Sequence, residues 1–174
     1  MPETTSPLVG IVLGSDSDWP KIKAVAAALD EFDVLYEVQV MSAHRTPEIV
    51  RQYATMAAAR GLKVLIAAAG GAAHLAGVVA SHTMLPVIGI PVPTELQGGL
   101  DSLLSTVQMP GDVPVATVGV GGGGPRNAGL LAVQILALSS DSLQEKLAAF
   151  RHKLAEKTST KNAALQAALR GEKK

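Results

Sequence analysis

The chain has 174 residues, of which 48% are hydrophobic, 17% charged and 3% aromatic, and its formal net charge is zero. This length and composition suit one domain with a sizeable core and exclude a largely disordered chain. The absence of cysteine excludes a disulfide scaffold, a thiolate nucleophile and a cysteine-ligated zinc site. So little charge on a small body also indicates that partner subunits cover part of the surface, so we expect an oligomer.

Charge is distributed unevenly along the chain. Residues 1–138 carry seven Lys or Arg and eleven Asp or Glu, a net −4, whereas residues 139–174 carry eight and four, a net +4. An acidic body argues against nucleic-acid binding, and the basic end is more typical of a solvated amphipathic helix. The first eight residues lack the pattern of a signal peptide, and His74 and glycines interrupt the longest apolar stretch, residues 64–80. We therefore expect a cytoplasmic protein without a membrane segment.

Short apolar runs alternate with helical patterns along most of the chain. Strands are predicted at residues 9–13, 34–41, 64–67, 87–90 and 114–120. Helices are predicted at residues 19–32, 47–60, 74–83, 100–108 and 127–138, with Gly61 capping the second. This alternation predicts an α/β fold, a three-layer doubly wound parallel sheet of five strands, flavodoxin-like, with order 2-1-3-4-5.

The two ends of the chain differ from this pattern. Residues 1–7 are expected to be disordered or extended, and residues 8–138 to form the catalytic α/β domain. In residues 139–174, Leu143, Leu147, Phe150 and Leu154 recur at helical spacing. We expect this segment to be a helical extension that packs on the body or on a neighbouring subunit.

Polar side chains follow the first two predicted strands. The carboxyl ends of parallel strands meet at one edge, so loops 14–18, 42–46, 68–74, 91–99 and 119–126 should converge there. Ser15, Ser17 and Asp18 offer hydroxyls and a carboxylate before a helix, which suits a phosphate and a ribose diol. The same residue types also serve as helix caps and turn formers.

The second of these loops is unusual because it combines Ser42, His44 and Arg45. A guanidinium can hold a phosphate with two hydrogen bonds, and an imidazole can give and take a proton near neutral pH. A surface ion pair would explain Arg45 alone, but it would leave Ser42 and His44 unexplained. By its sequence context, His74 is more typical of a helix-start residue with a satisfied hydrogen bond.

Other ligand motifs are weak or missing from the sequence. Residues 119–124 match G-x-G-x-x-G, but four consecutive glycines match it trivially, and no strand with a terminal acidic residue follows. No Walker motif, metal-ligand cluster or nucleophile elbow occurs either. We therefore expect neither a cofactor nor a metal ion.

Five motifs in a fixed order carry a family resemblance. They are Gly-Ser-Asp-Ser-Asp-Trp at 14–19, Ser-Ala-His-Arg-Thr-Pro at 42–47, Gly-Gly-Ala-Ala-His-Leu at 70–75, Gly-Ile-Pro-Val at 89–92 and Asp-Ser-Leu-Leu-Ser-Thr-Val-Gln-Met-Pro at 101–110. With them the chain resembles class I PurE, the N5-carboxyaminoimidazole ribonucleotide mutases of de novo purine biosynthesis. The resemblance covers residues 8–138.

The resemblance implies an isomerase that moves a carboxyl group from N5 to ring C4 of an aminoimidazole ribonucleotide, without ATP or a cofactor. Carried over by motif, Ser15, Ser17, Asp18, Ser42 and Arg45 hold phosphate and ribose, and His44 shuttles the proton. The resemblance also implies that the carboxyl group leaves N5 as carbon dioxide and is recaptured at C4. Retention of the free carbon dioxide needs a closed pocket. Candidates for that pocket are Ala69, Gly70, Gly71, His74 and Leu75. The family also implies a homo-octamer with sites at subunit boundaries.

Several positions depart from the family pattern, and two other functions stay open. PurE usually has Gly where this chain has Ala68, Pro where it has Ala76, and fewer glycines in loop 121–125. These differences would affect closure of the carbon dioxide pocket. Class II enzymes carboxylate aminoimidazole ribonucleotide directly and carry Lys at position 45, so Arg45 favours the mutase. A non-catalytic nucleotide- or flavin-binding module is an alternative of another class.

Overall fold

Five parallel strands form one sheet in the computed structural model, which describes residues 6–171. The strands are β1 (Val9–Leu13), β2 (Tyr36–Val40), β3 (Val64–Ala69), β4 (Val87–Pro91) and β5 (Ala116–Thr117). Their order is β2-β1-β3-β4-β5, as predicted for a flavodoxin-like sheet. β1 pairs with β2 on one side and with β3 on the other. The direction of winding therefore changes at β1.

Seven α-helices connect and follow these strands within the described residues. They are α1 (Trp19–Ile22), α2 (Ala24–Asp30), α3 (Pro47–Met56), α4 (Leu75–Ala80), α5 (Leu100–Val107), α6 (Gly124–Ala137) and α7 (Asp141–Gly171). Two short 3-10 turns, Asp16–Asp18 and Leu96–Gly98, precede α1 and α5. Pro47 opens α3, where its missing N–H costs nothing and its fixed φ suits the first turn.

The three inner strands of the sheet are buried on both faces, as expected for parallel strands covered by helices, whereas the edge strands β2 and β5 are partly exposed. All five residues of β1 and all five of β4 are buried. On one face, Val12, Leu65 and Ala67 pack with buried residues of α3 and α4. On α6, a Cβ at Gly129 would lie 2.6 Å from the Val25 carbonyl oxygen, so α6 and α2 are in close contact.

Several elements are shorter than the sequence pattern indicates. β5 spans two residues instead of 114–120, because it pairs only with β4 and because Pro114 has no N–H to donate. β2 begins at Tyr36, since the Val34 N–H bonds the Leu29 carbonyl at 3.1 Å to close the turn after α2. The predicted helix over 19–32 is interrupted at Lys23.

Two helices also end earlier than predicted, and one begins earlier. α3 ends at Met56, and hydrogen-bonded turns lead from it to Gly61, whose φ of +96° suits its predicted capping position. α4 ends at Ala80, so His82 lies in a turn and not in a helix. α6 begins at Gly124, three residues before the predicted start.

The chain divides into two units, residues 1–136 and 137–174. The first holds the sheet. The second holds α7, a helix of 31 residues in which, within the described chain, no residue is buried. In the described chain, no helix combines the length and the apolarity needed to cross a membrane. The expectation for residues 1–7 falls largely outside the described residues.

Candidate active site

A cavity of about 610 Å³ lies where the winding of the sheet changes direction. The loops after β1, β2 and β3 open a crevice there, which is the usual ligand position in such sheets. The volume is typical of a small-molecule site. The lining residues are Gly14, Ser15, Asp18, Ser42, Ala43, His44, Arg45, Ala69, Gly70, Gly71, Ala72, Leu75 and Thr94.

The loop after β2 is held by its own polar groups. The Ser42 N–H donates to Thr46 Oγ1 at 2.9 Å, and the Thr46 N–H donates to the Ser42 carbonyl at 2.9 Å. Ser42 Oγ accepts the Arg45 N–H at 3.2 Å, and Arg45 Nη2 donates to the Gly14 carbonyl at 3.0 Å. The guanidinium therefore bridges the loops after β1 and β2, with donors left over for a ligand.

The loop after β1 presents hydroxyl and carboxylate groups. Ser15 Oγ and Ser17 Oγ are 2.8 Å apart, and Ser15 Oγ also accepts the Ser17 N–H at 3.3 Å. Burial raises the pKa of the half-buried Asp18 carboxyl, Lys21 opposes this shift, and Asp16 adds to it. Ser15 and Asp18 line the cavity, whereas Ser17 contributes through its contact with Ser15.

Two histidines meet at the rim of this cavity. His44 Nε2 lies 2.8 Å from His74 Nδ1, and the two rings meet edge to face with centroids 4.9 Å apart. One nitrogen of this pair must donate and the other accept, so one N–H lies in the contact between the two rings. His74 is the residue before α4, so the helix start places one imidazole against the other.

The structure brings most of the predicted site residues to this cavity. Ser15, Asp18, Ser42, His44, Arg45, Ala69, Gly70, Gly71 and Leu75 line it, and His74 contacts it through His44. The direct His44–His74 contact was missed, because thirty residues separate the two and no spacing rule connects them. Thr94 was missed as an individual residue, although its loop was predicted at this edge.

One predicted loop does not reach the cavity. Among residues 6–171, no lining residue comes from the loop after β5. β5 is the strand farthest along the sheet from β1, and Val120 and Gly121 lie against Gly99 and Pro93 instead. The cavity lining likewise does not include Ala68 and Ala76, which are buried in the interior of β3 and α4.

Comparison with known proteins shows the family to which this chain belongs. Residues 8–157 match the profile of AIR carboxylase. The chain belongs to the AIR carboxylase family. The resemblance to PurE found in its motifs is thereby confirmed.

Two relatives and one solved structure illustrate the similarity. A Mycobacterium tuberculosis protein named N5-carboxyaminoimidazole ribonucleotide mutase is 57% identical over 165 residues, covering 95% of this chain and 94% of that protein. A Bacillus subtilis protein of the same name is 57% identical over 141 residues, 81% of this chain and 87% of that protein. The crystal structure of Treponema denticola PurE has a TM-score of 0.80 at 28% identity, covering 91% of this chain and 98% of that one.

Proposed function

We propose that this chain is an isomerase, an N5-carboxyaminoimidazole ribonucleotide mutase of purine biosynthesis that works without ATP. The observation that carries the proposal is the placement of His44 and Arg45 on one cavity wall, in a chain 57% identical to proteins of that name. An imidazole beside a phosphate-binding guanidinium is what a proton-dependent rearrangement of a nucleotide requires. The substrate is a small ribonucleotide.

The reaction has two steps that need one proton carrier. His44 first protonates N5 of the carbamate, the C–N bond breaks, and carbon dioxide and the aminoimidazole ribonucleotide are formed. Carbon dioxide then moves to C4, the new C–C bond forms, and His44 takes the proton that leaves C4. The histidine ends in its starting state, so neither ATP nor a cofactor is consumed.

The histidine pair supports this cycle. When His44 carries the extra proton, its Nε2–H can donate to His74 Nδ1 across the 2.8 Å contact. Such a hydrogen bond fixes the plane of the His44 ring. His74 is therefore a positioning residue for His44.

The remaining lining groups divide between the nucleotide and carbon dioxide. Ser15, Ser17, Asp18, Ser42 and Arg45 provide hydroxyl, carboxylate and guanidinium groups for ribose and phosphate. Ala69, Gly70, Gly71 and Leu75 provide an uncharged wall in which carbon dioxide can be retained between the steps. Retention raises the chance that the freed molecule reacts at C4 before it diffuses away.

Assays with two nucleotides distinguish the mutase from a direct carboxylase and from a non-catalytic binding module. Incubation of the protein with N5-carboxyaminoimidazole ribonucleotide in the absence of ATP should give the C4-carboxylated product. If only the unsubstituted aminoimidazole ribonucleotide with added carbon dioxide reacts, the protein is a direct carboxylase. Binding of either nucleotide without turnover would identify a non-catalytic binding module and overturn the proposal.

We also propose that the active assembly is a homo-octamer in which α7 packs on a neighbouring subunit. His44 and Arg45 are exposed in the single chain, whereas carbon dioxide must be retained, so a second subunit is needed to shelter the site. Leu96, Leu100, Leu104 and Val107 expose an apolar surface before and along α5, which supports assembly. The cytoplasmic location stays a prediction, to be checked by cell fractionation.

A further inference from the structure

The wall of the cavity formed by Gly70 and Gly71 is held by a helix that does not itself line the cavity. Among the described residues, α5 contributes no lining side chain. Nevertheless, three polar side chains from its first two turns, Asp101, Ser102 and Ser105, bond to segments that do. This helix therefore acts on the cavity through other residues.

Two serines on α5 hold Gly71 at both of its backbone polar groups. Ser102 Oγ accepts the Gly71 N–H at 2.9 Å, and the Ser105 hydroxyl donates to the Gly71 carbonyl at 3.2 Å. The two serines are three residues apart and so share one face of the helix. Gly71 has a φ of +66°, a conformation that favours glycine, and these two bonds hold it there.

Ser102 is fully buried and also joins a second segment. Its hydroxyl donates to the Val92 carbonyl at 2.7 Å, so one oxygen connects the loop after β3 with the chain after β4. The neighbouring Asp101 Oδ1 accepts the hydroxyl of Thr94 at 2.6 Å. Thr94 lines the cavity, and this bond is the main cause that keeps the pKa of the Asp101 carboxyl below its usual range.

The held peptide leads directly to the histidine pair. The Gly71 carbonyl also accepts the Ala73 N–H at 2.8 Å, and Ala73 is buried. The next residue is His74, whose Nδ1 faces His44 Nε2. A displacement of the Gly71 carbonyl therefore changes the start of α4 and, with it, the partner of the proton carrier.

We propose that Ser102 and Ser105 are positioning residues for the reaction, because they fix the Gly71 backbone that orients His74 toward His44. The proposal deepens the mutase function and rests on it for its kinetic test. Neither serine lines the cavity. Both act by keeping the cavity wall and the histidine pair in one arrangement before the substrate arrives.

Ser105→Ala is the decisive variant, since it removes one hydroxyl from a partly exposed helix position where alanine is a better helix former than serine. We expect kcat to fall about tenfold or more, because small misplacements of catalytic groups are costly, while the nucleotide KM changes little. Ser105→Thr keeps the hydroxyl and should restore most of the kcat. Ser102→Ala should have the larger effect, because it also leaves the Gly71 N–H without its partner.

Thr106→Val is the matched control. Thr106 is a buried hydroxyl one residue further along α5, and it donates to the Ser102 carbonyl of its own helix, at 2.7 Å. Its loss should leave kcat near that of the wild type. Wild-type kcat in Ser105→Ala, or an equal loss in Thr106→Val, would overturn the positioning role.

A second readout does not depend on turnover. In protein labelled with 15N-histidine, the imidazole signals of His44 and His74 should shift in Ser105→Ala and should match the wild type in Thr106→Val. Unchanged imidazole signals in Ser105→Ala would overturn the proposal. If the wild-type protein does not convert the nucleotide, the mutase function has failed, and this spectrum still tests the role of the serines.

Discussion

His44 and Arg45 are consecutive residues whose side chains contact different parts of the site. The imidazole of His44 faces His74, and the guanidinium of Arg45 reaches the Gly14 carbonyl and Ser42 Oγ. One side chain is therefore placed to move a proton and the other to hold an anion. Substitution of each should produce a different kinetic defect.

We expect His44→Asn to lower kcat by about a hundredfold or more, because general acid–base catalysis contributes at least that much, while nucleotide binding is largely kept. Steady-state kinetics together with calorimetric titration of the nucleotide measure the two effects separately. Near-wild-type turnover in His44→Asn would contradict the assignment.

Arg45→Ala is the reciprocal control. It should weaken nucleotide binding by about tenfold or more, since a charge-assisted contact is lost. An unchanged affinity would exclude Arg45 as the phosphate ligand.

At this scale, residue type and loop position allowed most of the site to be predicted. Ser15, Asp18, Ser42 and Arg45 follow adjacent strands, so the parallel topology alone brings them together. The contact of His44 with His74 could not be predicted from spacing, because it depends on where α4 begins in space. The bonds from α5 to Gly71 were missed for the same reason, since nothing in a serine's sequence context shows which carbonyl it will contact.

Among the helices, two glycines show how packing decides the effect of one substitution. Both Gly77 in α4 and Gly129 in α6 occupy helical positions, where alanine is favoured by about 1 kcal/mol. A Cβ at Gly77 would lie 3.1 Å from Met109 Sδ, near the end of a flexible side chain. A Cβ at Gly129 would lie 2.6 Å from the Val25 carbonyl oxygen, which is backbone and cannot turn away.

We therefore predict opposite signs for the same change. Gly77→Ala should be neutral or stabilising by up to about 1 kcal/mol, because Met109 can move and helix propensity improves. Gly129→Ala should destabilise by about 1–3 kcal/mol, because overpacking against α2 outweighs propensity.

Urea unfolding measures both values on one scale. If both substitutions change the free energy of unfolding equally, α2 and α6 can move apart to accommodate the added methyl group, and the prediction is wrong.

The contrast between local sequence pattern and tertiary contacts also explains which helices and strands could be predicted. The existence of the inner strands follows from local pattern, as β1 and β4 show by being wholly apolar and wholly buried. The strand order follows instead from the common winding of five-stranded parallel sheets. The length of β5 depends on its single neighbour in the sheet, and no proline or glycine marks the break at Lys23. Local periodicity contains neither piece of information.

At the scale of the whole molecule, four exposed apolar side chains lie before and along α5. The exposed fractions of Leu96, Leu100, Leu104 and Val107 are 61%, 40%, 48% and 47%. Contiguous exposed apolar surface on a protein with few charges is typical of subunit interfaces. The arrangement favours assembly through this surface.

We predict that Leu104→Glu lowers the molecular mass in solution, because it would bury a charge in the proposed interface. Light scattering coupled to size-exclusion chromatography measures the mass directly. Ala59→Glu, in the exposed turn after α3, is the matched control and should leave the assembly intact. A wild-type chain that runs as a monomer would contradict the octamer, and an unchanged mass in Leu104→Glu would exclude this surface.

Within the described chain, neither the cavity lining nor the bonds from α5 to the lining segments use a residue of α6. Substitutions at exposed positions of this helix can therefore change solubility or charge while the reacting groups stay the same. For protein engineering, this makes the exposed positions of the helix that follows β5 the place to introduce variation. For evolution, it lets lineages that differ at these positions keep a common chemistry.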